Sequence, residues 1–352
     1  MKPISIKSNT PSNFIKISYS PTDKCNYSCR YCFPGCNAGL HSWPTDLNLI
    51  VDNFLHLFEY YRSVGKTQIE LQILGGEPTL WPDLDKFIYE LKKHASFKAT
   101  IQSNGSRTMR WWEEHGNVFD KVNLSAHHKQ IDLAHFTQVA DTLYDLKVYV
   151  DVSVCMDPYA WDQCVSMIDY FKKNSRNKWY IGTQKIEESN QENLYTDDQL
   201  KFLSKSIKRY PSIWYAFSQR SNFNINRSIV TLDDGTKQKV KHNQVQINNW
   251  NHFYGWECNI GIDSLYIDLR GSMSGSCNQS LYGLDTKFNI YDADFKEKFH
   301  PFLKPVKCKQ LGCYCTPETL LTKTLVKGMS AAQVQKLRSQ TIESTGTSNV
   351  SL

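Results

Sequence analysis

At 352 residues the chain exceeds what one hydrophobic core usually serves, so one large domain with a smaller one is expected. Its 40% hydrophobic content supports a packed fold; no stretch approaches the ~18 consecutive apolar residues of a membrane helix, and Met1 to Lys16 holds no signal-peptide core. A net charge of +6 without a dense Lys/Arg patch gives no sign of nucleic-acid binding, and eleven cysteines at ligand-like spacings point to a soluble protein of the reducing cytoplasm, not a disulfide scaffold.

Strand-like runs end at Ser20, Leu74, Ser103, Ala126, Val154 and Ile186, and the segments between them mostly carry helical periodicity. That alternation predicts an α/β fold of parallel strands with crossover helices. The first helix is the plainest: Leu47, Ile50, Val51, Phe54, Leu55 and Phe58 share a face, Asp46 caps the start and Gly65 ends it. Further on, residues 196 to 210 read as helical and Ser228 to Gln246 as a hairpin around Asp233, Asp234 and Gly235. From about residue 326 the chain turns small and polar, as a disordered tail does.

The chemistry starts in the run Cys25-Asn-Tyr-Ser-Cys29-Arg-Tyr-Cys32. A cubane iron-sulfur cluster is normally held by four thiolates, so three on one loop leave one iron open to an outside ligand. A zinc knuckle is the bland alternative. A second motif, Gly75-Gly76-Glu77-Pro78, follows the buried strand 68 to 74 directly. Two residues without Cβ let a ligand approach the strand edge, where an ammonium group can be bound, and Glu77 adds a carboxylate.

The triad, with Tyr31 before its last cysteine, and the glycine motif after the next strand resemble the signature of the radical S-adenosylmethionine (radical SAM) superfamily. The resemblance implies an open, partial (β/α)6 barrel. It implies a [4Fe-4S] cluster on Cys25, Cys29 and Cys32 whose open iron takes the amino and carboxylate groups of S-adenosylmethionine. Reductive cleavage to a 5'-deoxyadenosyl radical and hydrogen abstraction would follow, with an electron from a flavodoxin- or ferredoxin-like partner. Gly75, Gly76, Glu77 and Pro78 would then hold the methionine end. Asn104, in Ser-Asn-Gly, and Ser125, at a strand end, are further cofactor contacts by resemblance, though each also reads as a local turn or strand-end hydroxyl.

Cys258, Cys277, Cys308, Cys313 and Cys315 form a second group, one more than a closed cluster needs. Ser264 to Leu269 alternates like a strand and Gly271 permits a tight turn, so a hairpin can bring Cys277 back beside Cys258. This pattern resembles the twitch and SPASM auxiliary-cluster domains. It implies one auxiliary iron-sulfur cluster of the twitch kind, with a structural zinc site as the alternative.

Other residues at the strand ends compete with plainer readings. His127 and His128 sit where a proton shuttle would, but adjacent histidines are commonly solvated. Cys155 is placed to donate a hydrogen atom or simply to pack, and Cys164 reads as packing. Cys36 is excluded as a fourth ligand because it would block the open iron. Glu187 and Glu188 suit an ammonium group or a helix start. The expected organisation is a barrel over 1–190, a connector over 191–250, an auxiliary-cluster domain over 251–325 and a tail over 326–352. The expected activity is hydrogen abstraction from a peptide or small-molecule substrate; the alternative is a non-catalytic iron-sulfur or zinc protein that keeps the barrel.

Overall fold

Short strands in which apolar and polar residues alternate set the architecture. A computed structural model describes residues 1–32, 37–177, 179–186, 194–204, 228–274, 288–299, 304–308, 312–313 and 319–326. In order, β1 (Pro3–Ser8), β2 (Phe14–Tyr19), α1 (Leu47–Ser63), β3 (Gln68–Ile73), α2 (Leu84–His94) and β4 (Lys98–Ser103) lead to α3 (Met109–His115). Then come β5 (Lys121–Ala126), α4 (Leu133–Asp145), β6 (Tyr149–Met156), α5 (Trp161–Asn174), β7 (Tyr180–Lys185) and α6 (Asp197–Ser204). The remainder holds β8 (Ser228–Leu232), β9 (Lys237–Val240), β10 (Glu257–Cys258), β11 (Ser264–Ile267), β12 (Met273–Ser274), β13 (Val306–Lys307) and β14 (Lys323–Thr324).

Contacts divide the chain into two compact units. One comprises residues 11–221 and 265–300. Its sheet runs β12-β11-β2-β3-β4-β5-β6-β7, with β2 to β7 paired in parallel in sequence order. The sheet is not closed; β7 and β12 are its edges. The six parallel strands are those the sequence predicts, with ends within two residues. The predicted hairpin after Cys258 also forms, as β11 and β12 with Gly271 at φ 79°, and it joins the parallel sheet, where Ser20 N–H donates to the Ile267 carbonyl at 2.9 Å.

One face of this sheet is packed by the helices. Ile15, Ile17, Ile69, Leu71, Ile101, Val122, Leu124, Val152 and Val154 are all buried there. Tyr19 meets Phe54 of α1 at 5.1 Å between ring centroids and Phe87 of α2 at 6.0 Å. Asp46 caps α1 by accepting from Leu49 N–H at 3.0 Å, as expected.

The other unit comprises residues 1–10, 222–264 and 301–352. Its sheet runs β13-β10-β14-β1-β8-β9 over a core of Ile6, Val230, Leu232, Val240, Val245, Phe253 and Trp256. The hairpin predicted to Gln246 is β8–β9, turned by Gly235 at φ 85°, and stops at Val240. His242–Ile247 is a short helix instead, started by the Gln244 side chain accepting from Lys241 N–H at 2.8 Å. The predicted helix at 196 to 210 is seen as α6; residues 205–210 and the tail from 327 lie outside the described residues.

Phe54 is fully buried and touches Tyr19, Phe58 and Phe87. Phe54→Ala is expected to cost about 3–5 kcal/mol in urea unfolding, while Tyr89→Ala, at a 56% exposed position, leaves the midpoint unchanged. Equal effects of the two would contradict this packing.

Candidate active site

All the strand-end motifs of the parallel sheet lie at one edge, since parallel strands end on the same side. The loop after β2 carries Cys25, Cys29 and Cys32, and four neighbouring strand ends restrain it. Backbone bonds come from the β3 end: Gly76 N–H donates to the Thr22 carbonyl at 2.9 Å and Glu77 N–H to the Lys24 carbonyl at 2.8 Å. These contacts explain the glycines. A Cβ at Gly75 would lie 2.4 Å from the Thr22 oxygen and one at Gly76 2.3 Å from the Lys24 oxygen, so only glycine lets the two backbones meet.

Glu77 is 1% exposed. One carboxylate oxygen accepts from Thr79 N–H at 3.1 Å, Thr79 Oγ1 at 2.6 Å and Ser103 Oγ at 2.9 Å; the other accepts from Asn104 N–H at 2.7 Å. Burial raises its pKa against the pull of those bonds. Sequence reasoning read Glu77 as a ligand contact; the geometry makes it the knot between the ends of β3 and β4. Pro78 opens a short 3-10 turn, Pro78–Leu80, capped by the same carboxylate.

Asn104 extends this knot to the cysteine loop. Its Nδ2 donates to Asn26 Oδ1 at 2.9 Å and lies 4.0 Å from Cys25 Sγ, while Asn26 Nδ2 donates to Ser106 Oγ at 2.8 Å. From beyond β5, Gln130 accepts from Ser28 N–H at 2.8 Å and approaches Cys29 Sγ at 3.9 Å. Ser125 is buried and accepts from Gln102 Nε2.

The segment between Cys29 and Cys32 is clamped by residues that sequence reasoning mostly missed. Arg30 pairs with Asp157 at 2.6 Å and lies over the Tyr159 ring at 4.7 Å. Tyr31 stacks on His127 and His128 at 5.8 and 6.4 Å and shares a 3.1 Å hydrogen bond between its hydroxyl and His127 Nδ1. The His128 side chain is 1% exposed, with no hydrogen bond from the described residues to either ring nitrogen and the Asp157 carboxylate 3.8 Å away. Burial, with the His128 charge second, takes His127 down to about 4, so both rings are neutral near pH 7. They are packed, half-buried supports of the cysteine loop, not the solvated pair the sequence allowed. On the far side of the loop, Asp23 accepts from Leu40 N–H, His41 N–H and His41 Nδ1 at 3.2, 2.7 and 2.9 Å.

Three thiols on one loop suit an iron-sulfur cluster with one open iron. Among the described residues no group of three or more His, Cys, Asp or Glu side chains converges on one metal-ion position, as a zinc knuckle requires. A polynuclear cluster can instead meet each thiolate with a different iron. Burial raises the Cys25 thiol above its ordinary value and takes Cys29 up to about 11, Cys32 and Cys25 adding to it, so iron must displace protons here. Cys155, near the same sulfurs, is pushed up to about 12 by burial and then by Cys29, while Cys164 donates to the Cys155 carbonyl at 3.4 Å.

The second cysteine group is only partly in view. Cys308 and Cys313 are buried together in the core of their unit, and Cys258 lies in a smaller apolar cluster with Ile260 and Leu321. Cys277 and Cys315, like Cys36, Glu187 and Glu188, lie outside the described residues.

Glu77→Gln replaces an acceptor of four bonds by an amide whose nitrogen must face a donor. It is expected to destabilise the metal-free protein by about 1–3 kcal/mol in urea. Unchanged stability would show that the carboxylate is not the knot described.

Comparison with known proteins agrees with this geometry. The family described as Radical SAM superfamily matches residues 19–178. An S-adenosylmethionine-dependent nucleotide dehydratase of Thermoplasmatales archaeon (strain ISO4-H5) is 35% identical over 151 residues, 39% of this chain and 51% of that protein. A GTP 3',8-cyclase of Staphylococcus saprophyticus is 28% identical over 173 residues, 44% of this chain and 49% of that protein. The chain thus spans about half the length of these relatives. Among solved structures, anSMEcpe with bound AdoMet has a TM-score of 0.50 at 18% identity, covering 79% of this chain and 78% of that one. Streptococcus suis SuiB bound to S-adenosylmethionine has a TM-score of 0.50 at 12% identity, covering 82% and 64%. At such identities the likeness speaks for the fold alone. The α/β sheet and its cysteine loop fall within the segment 19–178 that matches the Radical SAM superfamily.

Proposed function

We propose that the chain is a radical SAM enzyme that abstracts a hydrogen atom from its substrate. The observation that carries this reading is the three-cysteine loop, held by backbone bonds to the Gly75–Glu77 segment and restrained from three further strand ends. Cys25, Cys29 and Cys32 would hold a [4Fe-4S] cluster, with Gly75, Gly76, Glu77, Pro78, Tyr31, Asn104 and Ser125 around S-adenosylmethionine. Bound there, the pair would supply a one-electron cleavage and a carbon-centred radical. The chain's own part is to fix the loop, keep His127 and His128 neutral beneath Tyr31, and hold the substrate's C–H bond in reach. The S-adenosylmethionine dependence named for one relative supports this assignment.

The reductant would be a flavodoxin- or ferredoxin-like protein, and a reducing compartment such as the cytoplasm suits the cluster. No described helix is long and apolar enough to cross a membrane. The domain blocks read from sequence, barrel 1–190, connector 191–250, auxiliary domain 251–325 and tail 326–352, are kept as a proposal, although the two compact units, 11–221 with 265–300 and 1–10 with 222–264 and 301–352, cut across them. Peptides remain possible substrates, but relatives named for reactions of nucleotides favour a small molecule. The burial of Cys258, Cys308 and Cys313 suits ligands of a closed auxiliary cluster of the twitch kind, built from four of the five cysteines Cys258, Cys277, Cys308, Cys313 and Cys315.

Cys25→Ala, Cys29→Ala and Cys32→Ala should each abolish 5'-deoxyadenosine formation in anaerobic reconstitution with S-adenosylmethionine and a strong reductant, because two thiolates do not hold the cluster. Retained product in any of the three would sink the assignment. With all three changed to alanine, the reconstituted protein should still hold roughly four irons and four sulfides on the remaining cysteines. Zinc without iron in that protein would make the second site structural.

A further inference from the structure

A side-chain amide carries its acceptor and its donors in one plane, so fixing the oxygen also fixes where the nitrogen points. Two amides beside the cysteine loop are fixed in this way. The Gln130 oxygen accepts from Ser28 N–H at 2.8 Å, and a backbone N–H is matched only by an acceptor; Gln130 Nε2 is thereby turned to the loop, 3.9 Å from Cys29 Sγ. Asn104 repeats the arrangement one strand away. Its oxygen accepts from Ser106 N–H at 3.0 Å, and its Nδ2, which donates to Asn26 Oδ1 at 2.9 Å, lies 4.0 Å from Cys25 Sγ. Tyr27 N–H donates to the same sulfur at 3.3 Å.

Gln130 is itself held in place. It is half-buried in the turn after β5, where its own N–H and that of Ile131 donate to the His127 carbonyl at 3.2 and 3.3 Å. The same turn carries the His127 ring bonded to the Tyr31 hydroxyl, so it reaches the cysteine loop on both sides of Cys29, at Ser28 and at Tyr31. A thiol sulfur is a weak acceptor, and these long contacts are weak bonds to it. Their strength grows with negative charge on the acceptor, since charge-assisted hydrogen bonds are roughly twice as strong as neutral ones. A thiolate on iron carries such charge, and an electron added to the cluster adds more. A donor aimed at that sulfur therefore favours the reduced cluster over the oxidised one, which is how hydrogen bonds to sulfur set a cluster's potential.

We propose that Gln130 is a positioning residue for the cluster: its oxygen anchors the loop at Ser28, and its nitrogen donates to the Cys29 sulfur and raises the cluster's reduction potential. The proposal rests on the radical SAM reading in placing a cluster on Cys25, Cys29 and Cys32, and deepens it by assigning a residue that controls how readily the electron enters.

The test is a redox titration of the full chain, reconstituted anaerobically with iron and sulfide. It follows the electron paramagnetic resonance signal that is missing from Cys25→Ala. Gln130→Met brings no charge and removes the donor. It is expected to shift the reduction equilibrium about three- to tenfold toward the oxidised cluster, a fall of ~28–59 mV at 59 mV per tenfold for one electron. If Gln130→Met takes up no cluster, Gln130→Glu decides in its place, because its carboxylate still accepts from Ser28 N–H while the donor is lost. Its potential should fall further than that of Lys129→Gln, which makes the same change in net charge at the adjacent exposed residue. An unchanged potential in cluster-loaded Gln130→Met would overturn the proposal, as would an equal fall in Gln130→Glu and Lys129→Gln. Failure of both Gln130 variants to take up the cluster would make the residue an anchor of the loop alone and overturn its claim on the potential. 5'-Deoxyadenosine formation by the unsubstituted chain is scored separately. Its absence beside a potential that responds to Gln130 would overturn the radical SAM reading and leave this proposal standing; its presence beside a potential that does not respond would do the reverse.

Discussion

The buried Glu77 carboxylate is the constraint on which the site depends. It joins the ends of β3 and β4 through Thr79, Ser103 and Asn104, and the backbone just before it is stitched to the cysteine loop at Thr22 and Lys24. A loop of three potential ligands is otherwise a flexible segment whose ordering costs roughly 1–2 kcal/mol per residue. Here that cost is offset before any metal arrives, by bonds donated from a rigid strand end. Pre-ordering of this kind favours an intact three-point site over partial ligation.

The polar clamp on the opposite side of the loop works by a different principle. Asp157 neutralises Arg30 between two of the cysteines, and His127 and His128 stay neutral under Tyr31 because burial disfavours their charge. No uncompensated positive charge from these groups is left beside the sulfurs. Local charge and hydrogen bonding are among the levers that set a cluster's potential, so the clamp bears on redox as well as shape.

Much of this was legible in the sequence. Cys25, Cys29, Cys32 and the Gly-Gly-Glu-Pro motif announce themselves by spacing, and six strand ends follow from hydrophobic runs broken by helical periods. The role of Glu77 was not legible, because a carboxylate after two glycines looks the same whether it faces a ligand or four protein donors. The clamp residues Arg30, Asp157 and Gln130 were missed for a related reason: they meet only after the chain is folded, 127 residues apart in the case of Arg30 and Asp157. The face of the sheet away from the helices did leave a signal. Val122, Asn123, Leu124, Ser125 and then Val150, Asp151, Val152, Ser153 alternate with period two, which marks a strand with one wet face rather than one buried on both. Strand β11 was legible, but its place beside β2 was not, since a contact across 246 residues leaves no local trace.

The claim at the centre of this account is that three thiolates leave one iron open and that S-adenosylmethionine occupies it. Electron paramagnetic resonance of the reduced, anaerobically reconstituted chain, recorded with and without S-adenosylmethionine on the variant in which Cys258 and Cys308 are alanine, isolates that cluster. The account predicts a [4Fe-4S] signal whose g-values shift when S-adenosylmethionine is added. A signal that does not respond, or a protein that holds zinc and no iron, would contradict it.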